Sequence, residues 1–174
     1  MPKWNVLPKE RLWLMKSSHE QKGCFCINFS KKRMSTEDMK GKKVLIVEDD
    51  FFVSDIYETK FKHEGCEVVA VGDGAKAMSK LQEGFVPDVI LLDLIMPNMD
   101  GREFLEEVKK LSNLSNVPIL VLSNLSQEED VKESLALGAK DYIVKSHLTP
   151  TEVFHRVTEL LRGSASTGSG NMIQ

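Results

Sequence analysis

The sequence predicts an α/β fold, a doubly wound parallel sheet of five strands with five helices. Three observations carry that expectation. From Lys43 onward, short runs of Val, Ile and Leu alternate with longer segments of helical periodicity. Each apolar run stops abruptly at charged or hydroxyl-bearing residues, and Gly or Pro marks most of the turns between segments. The composition, 41% apolar and 28% charged over 174 residues, suits one globular domain with some chain to spare.

Val44 to Val47 reads as the first strand; Glu48-Asp49-Asp50 follows, then a helix running to about His63 and ended by Gly65. Glu67 to Val71 is the second strand, and Gly72-Asp73-Gly74 leads into a helix from Ala75 to Leu81. The central stretch is Val89 to Asp93, a buried strand that ends in a carboxylate. Pro97, Asn98, Asp100 and Gly101 then force a turn, and Arg102 to Leu111 reads as a helix with apolar residues at Phe104, Leu105, Val108 and Leu111. Val117 to Leu122 is the fourth strand, with Ser123-Asn124 at its end and a helix from about Gln127 to Leu137, stopped by Gly138. Asp141 to Val144 is the fifth strand and ends in Lys145. Thr149, Pro150 and Glu152 supply an N-cap, a first-turn proline and a capping-box partner for a last helix that runs to about Leu161. Strands each followed by a helix require right-handed crossovers, which put every strand's carboxyl end on one rim, where open α/β sheets bind ligands.

Charge divides the chain near Gly41. Residues 1–40 hold nine Lys and Arg against four Asp and Glu, whereas the other 134 residues hold 14 against 22. Residues 1–40 are expected to be a basic, disordered arm, residues 41–162 the domain, and residues 163–174 a flexible Gly/Ser tail. An acidic domain repels nucleic acid, and the Lys31-Lys32-Arg33 cluster reads as a solvated arm rather than a binding patch. No run of ~18 apolar residues is present to span a membrane. Cys24, Cys26 and Cys66 form neither a CxxC pair nor an even disulfide framework. With no convincing signal peptide, the expected setting is reducing and cytoplasmic.

The predicted rim collects Glu48 and Asp49 from strand one, Asp93 from strand three, Ser123 from strand four and Lys145 from strand five. Three carboxylates so placed repel one another and favour a hard divalent cation, for which Mg²⁺ is the natural choice because no His or Cys is near. A phosphoryl group on Asp93, bridging such a cation and Lys145 and bonded by the Ser123 hydroxyl, would be neutralised there.

Four ordered motifs then resemble the receiver domains of two-component response regulators. They are Val-Leu-Ile-Val-Glu-Asp-Asp at 44–50, Asp-Leu-Ile-Met-Pro-Asn-Met-Asp-Gly at 93–101, Leu-Ser at 122–123 and Gly-Ala-Lys-Asp-Tyr-Ile-Val-Lys at 138–145. Asp49 stands 44 residues before Asp93, and Ser123 and Lys145 stand 30 and 52 after it. The resemblance covers about residues 41–162 and implies the flavodoxin-like fold of single-domain chemotaxis regulators. It further implies that Asp93 is the phosphoacceptor, Asp49 a direct Mg²⁺ ligand, Glu48 an acid acting through metal-bound water and the Ile95 backbone carbonyl another ligand. Lys145 would pair with phosphoryl oxygens, while Ser123 and Tyr142 would act as the switch. The implied donor is a sensor histidine kinase or phosphotransfer protein. The implied output is a protein partner docking on the fourth helix, fifth strand and fifth helix, with no DNA-binding domain following and no catalysis beyond the domain's own phosphorylation and slow dephosphorylation.

Some residues depart from that pattern. Ser123 stands where the family more often has Thr, and Asn124 where it more often has a small residue. Ser146 follows Lys145 where the family usually has a proline with a cis bond; a cis bond before another residue costs about 3 kcal/mol, so the loop Ser146 to Leu148 is expected to be rearranged. Ile95 and Leu125 are apolar at positions that, by the same resemblance, would flank the approach of water to the acyl phosphate, which points to slow self-dephosphorylation. Asp50 reads as a helix cap and not as a ligand. Gly72 to Ala77 matches a dinucleotide fingerprint only formally and reads as a helix-entry turn. Asn28, Asn113 and Asn124 open glycosylation sequons by pattern only. Two rival functions are an aspartate-nucleophile Mg²⁺-dependent phosphatase, which would carry a second Asp where Ile95 stands, and a receiver-like module that binds partners without phosphorylation.

Overall fold

A computed structural model describes residues 39–165, with side chains described to residue 162. The strands are β1 (Lys43–Val47), β2 (Glu67–Val71), β3 (Val89–Leu92), β4 (Ile119–Ser123) and β5 (Asp141–Val144). The helices are α1 (Phe51–His63), α2 (Gly74–Gln82), α3 (Gly101–Val108), α4 (Glu128–Ala136) and α5 (Pro150–Ala165). All strand pairs are parallel, in the order β2-β1-β3-β4-β5, so the chain reverses its winding direction after β2. The doubly wound five-stranded α/β fold read from the sequence is the fold observed.

Because successive side chains of a strand face opposite ways, the sheet builds two cores. Leu45, Val47, Ile90, Leu92 and Val121 pack with Ala77, Leu81, Phe104 and Leu105 on the side of α2 and α3. Val44, Ile46, Val89, Leu91, Leu120 and Leu122 pack with Tyr57, Phe61, Phe154 and Val157 on the side of α1 and α5. The three central strands are buried on both faces, which is why they are written as continuous apolar runs.

Several boundaries differ from expectation. Met39, two residues before the expected start at 41, already belongs to the packed domain; its side chain is buried and its carbonyl accepts from the Lys42 amide and the Cys66 thiol. The rest of the expected arm, with Cys24, Cys26 and Asn28, lies outside the described residues. Helix α3 ends at Val108 and not Leu111, because the chain tightens into three-residue bonds from Lys110 to Glu107 and from Leu111 to Val108 and then a 3₁₀ turn at Ser112–Leu114. Strand β4 starts at Ile119, since Pro118 has no amide and Val117 closes the turn onto Leu114; it also takes in Ser123. Helix α5 continues to Ala165, past the expected start of the tail at Gly163, as a glycine disfavours a helix by only ~1 kcal/mol and no proline intervenes. Residues 166–174 lie outside the described range.

Candidate functional site

The backbone ladder runs one residue beyond two strands. The Glu48 amide donates to the Val71 carbonyl at 3.0 Å, and the Asp93 amide donates to the Val47 carbonyl at 2.9 Å. Both acids are thereby locked at the same rim with backbones as firm as the sheet itself. Glu48 is 5% exposed and Asp93 7%, whereas Asp49 is open to solvent.

Lys145 reaches this rim from the end of β5. Its ammonium donates to Glu48 Oε2 and to Asp93 Oδ2, each at 2.6 Å. The other Asp93 oxygen, Oδ1, accepts from the backbone amides of Leu94 at 2.6 Å and Ile95 at 3.2 Å. Every polar atom of the Asp93 side chain therefore has a defined donor. The loop after Lys145 forms a 3₁₀ turn over Lys145–His147, with every peptide bond among the described residues trans.

Burial raises the Glu48 carboxyl to about 7; the Lys145 hydrogen bond and charge pull it down, while Asp93 and Asp49 push it further up. Burial also works against the Lys145 charge, but the hydrogen bonds to Asp93 and Glu48 prevail and hold its ammonium above the usual range. Glu48, Asp49 and Asp93 each present an oxygen, all within 4.8 Å of one another. With one ammonium among three carboxylates, the fully ionised cluster carries two negative charges in excess. That charge and an all-oxygen donor set fit a divalent hard cation such as Mg²⁺. An arrangement of this kind can hold a metal and offer one oriented carboxylate as a nucleophile beside it.

The remaining residues singled out from the sequence lie around this cluster. Ser123 is fully buried, and its Oγ accepts from the Leu125 amide at 3.3 Å. The Tyr142 hydroxyl donates to the Leu125 carbonyl at 3.0 Å, and burial raises its phenol above the ordinary value. One residue, Leu125, thus holds Ser123 through its amide and Tyr142 through its carbonyl. Ile95 projects outward at 57% exposure, between the buried Leu94 and Met96 that pin the loop on either side of it. Asp50 caps α1, accepting from the Phe52 and Val53 amides at 2.8 and 3.2 Å, so it serves the helix.

Two supports escaped sequence reading. Tyr57, buried in the α1 layer, feels the charges of Lys145, Glu48 and Asp93 after the larger effect of its own burial. Gly101 is sterically required, since a Cβ there would lie 2.3 Å from the Asp93 carbonyl oxygen. The Pro/Gly turn signal marked Gly101 as a turn residue, but only the fold brings it against the Asp93 backbone.

Comparison with known proteins follows this geometry. The family model described as response regulator receiver domain matches residues 44–158. A probable transcriptional regulator, ycf27, from Porphyridium aerugineum is 35% identical over 133 residues, which make up 76% of this chain and 53% of that protein. The chain therefore spans about half the length of such curated relatives. Among solved structures, the Vibrio cholerae chemotaxis protein CheY4 is 31% identical, with a TM-score of 0.64 over 68% of this chain and 98% of that one. The phosphorylated cyanobacterial phytochrome response regulator RcpA is 34% identical, with a TM-score of 0.62 over 74% of this chain and 97% of that one.

Proposed function

We propose a function from one premise: the chain belongs to the response regulator receiver domain family, the signalling modules of two-component systems. Within that family, Asp93 is the phosphoacceptor of a phosphorelay, with a histidine kinase or a phosphotransfer protein as donor. The observation that carries this reading is the cluster in which Lys145 bridges Glu48 and Asp93 while Asp49 stands beside them.

Mg²⁺, held by Asp49 and Asp93, by the Ile95 carbonyl and through water by Glu48, would supply charge neutralisation for the transferring phosphoryl group and its alignment. The protein's own residues do the rest. The Leu94 and Ile95 amides fix the Asp93 carboxylate so that one of its oxygens can attack phosphorus in line, breaking the phosphorus–nitrogen bond of the donor phosphohistidine. The imidazole leaves, and the new phosphorus–oxygen bond makes an acyl phosphate. Transfer turns one negative charge at Asp93 into about two. Lys145, already 2.6 Å from Asp93, stands ready to pair with the added oxygens, and Glu48 then loses one of its ties.

Ser123 supplies the switch. When its hydroxyl turns to donate to the phosphoryl group, it gives up its bond from the Leu125 amide. The loop that follows β4 is thereby freed, and Tyr142, bonded to the same residue's carbonyl, turns into the space vacated. The result is a changed surface on α4, β5 and α5, a local charge event that biases a two-state element. A downstream protein reads that surface. No helix among the described residues is long and apolar enough to cross a membrane.

The test is labelling with a small phosphodonor such as acetyl phosphate. Incorporation should need Mg²⁺, give an acid-stable and hydroxylamine-labile bond, and vanish in Asp93→Asn. Continuous turnover of phosphate esters would favour the phosphatase instead, and no labelling at all would favour a phosphorylation-independent module.

A further inference from the structure

Helix α2 contributes no residue to the acidic cluster, yet its first turn is fastened to the loop that does. Asp73, 3% exposed, caps the helix by accepting from the Lys76 amide at 2.7 Å through Oδ1. Its other oxygen accepts from the Asn98 side-chain amide at 3.3 Å and pairs with the Lys76 ammonium at 3.1 Å. A cap needs only one oxygen; the second is spent across the gap, on a residue 25 positions away.

The receiving end is the segment from Leu94 to Asp100. Asn98 sits at φ 68°, the left-handed region that Asn tolerates better than other side chains. Next to it the Met99 carbonyl accepts from the Gly74 amide at 3.2 Å, and a Cβ on Gly74 would come within 2.8 Å of Met99. The far end of the segment is closed by the Gly101 amide, which donates to the Leu94 carbonyl at 3.0 Å. Ile95 lies between these two closures, its side chain exposed and its amide donating to Asp93 Oδ1 at 3.2 Å.

We infer that Asp73 and Asn98 are positioning residues, a clasp through which α2 holds the Ile95 backbone in place for the cation. This rests on the reading of the acidic cluster as a Mg²⁺ site. Neither residue touches the metal or the phosphoryl group; they act by limiting the shapes available to the loop. The Lys76 ammonium, mostly in solvent, is a secondary partner and contributes little.

Three full-length proteins test it: the parent, Asn98→Gly and Lys76→Ala. Glycine accepts φ 68° without strain, so Asn98→Gly removes the side-chain bond and leaves the turn foldable. In the metal-free protein, amide exchange over residues 94–99 should quicken about tenfold in Asn98→Gly, while exchange in Val44 to Val47 stays at the parent rate. Mg²⁺ titrated by calorimetry should bind about fivefold to tenfold more weakly, the scale of one ordinary hydrogen bond. Lys76→Ala should match the parent in both. Unchanged loop exchange in Asn98→Gly overturns the clasp, and faster exchange with unchanged Mg²⁺ affinity overturns its positioning role. If the parent itself binds no Mg²⁺, the site reading fails; the clasp then stands or falls on the metal-free exchange alone.

Discussion

Helices α3 and α4 flank the same rim and are held in opposite ways. Helix α3 buries Gly101, Phe104, Leu105 and Val108 and opens with a full capping box between Asp100 and Glu103. Helix α4 buries only Ser134 completely, and its N-cap, Gln127, makes no side-chain bond. What ties α4 down is charge: Arg102, from the first turn of α3, reaches Asp130 at 2.5 Å and Glu133 at 2.7 Å. Lys109 adds a long contact to the Ala136 carbonyl at the other end. Apolar burial pins α3, and with it the loop behind Asp93, at a cost of several kcal/mol to displace. Ion pairs at a half-open surface restrain α4 by about 1 kcal/mol or less. The difference leaves the rim with a floor that packing holds firmly and a wall that surface charge holds lightly, which is what the proposed switch would require.

The largest expected effect tests the floor. Phe104 is fully buried against β3, so Phe104→Ala should cost about 3 to 5 kcal/mol in urea denaturation. Leu135, 44% exposed on α4, should cost well under 1 kcal/mol when changed to Ala. Similar losses at the two positions would erase the contrast between the helices.

A second effect concerns the charge on the floor. In the folded, metal-free protein the Glu48 carboxyl is raised to about 7, above the 4.5 of an ordinary glutamate. The native state then holds a proton that the unfolded state releases, so stability is greatest below that window and is lost as pH rises from about 4.5 to 7. One proton changes stability by at most ~1.4 kcal/mol per pH unit, so the full loss is on the order of 3 kcal/mol at most. Mg²⁺ competes for the same charge and should flatten the decline; its affinity should rise with pH up to about 7 and level off above. Denaturation midpoints at pH 5 and 8, with and without Mg²⁺, check this. A metal-free protein more stable at pH 8 would contradict a proton held on Glu48.

A third effect is kinetic and lies between the two regions. Ile95 projects from the floor, Leu125 sits half-buried against the core in the loop that leads to α4, and neither side chain can orient a water. Phosphorylated protein should therefore decay slowly in Mg²⁺ buffer, and the double variant Ile95→Asn with Leu125→Glu should decay several-fold faster. Equal decay would show that these side chains do not govern water access.

The smallest effect on stability, and the sharpest on the comparison, is Arg102→Ala. It should lower the denaturation midpoint only slightly, by about 1 kcal/mol or less. Amide exchange over α4 should nevertheless quicken, while exchange over α3 stays as it was. If α4 exchanges at the parent rate, something other than these ion pairs restrains it. Tyr142→Ala, made beside it, should leave labelling nearly intact and weaken phosphorylation-dependent capture of a downstream partner.

Much of the fold was legible because its signals are local. Val44 to Val47 and Val89 to Leu92 could be read as doubly buried strands from apolar runs alone, and Asp50, Thr149 and Glu152 as caps from their position before a helix. Parallel strands with crossovers then place every carboxyl end on one rim, so Glu48, Asp49, Asp93, Ser123 and Lys145 could be grouped without coordinates. What tertiary structure alone decided depends on distances between segments far apart in the chain. That Lys145 bridges Glu48 and Asp93 despite Ser146 standing after it is settled by the 3₁₀ turn of Lys145–His147. That Asp73 meets Asn98, that Arg102 meets Asp130 and Glu133, and that Leu125 joins Ser123 to Tyr142 carry no sequence signature. A polar side chain's partner is chosen by packing that brings two surfaces together, and a residue's own neighbours in sequence do not encode it.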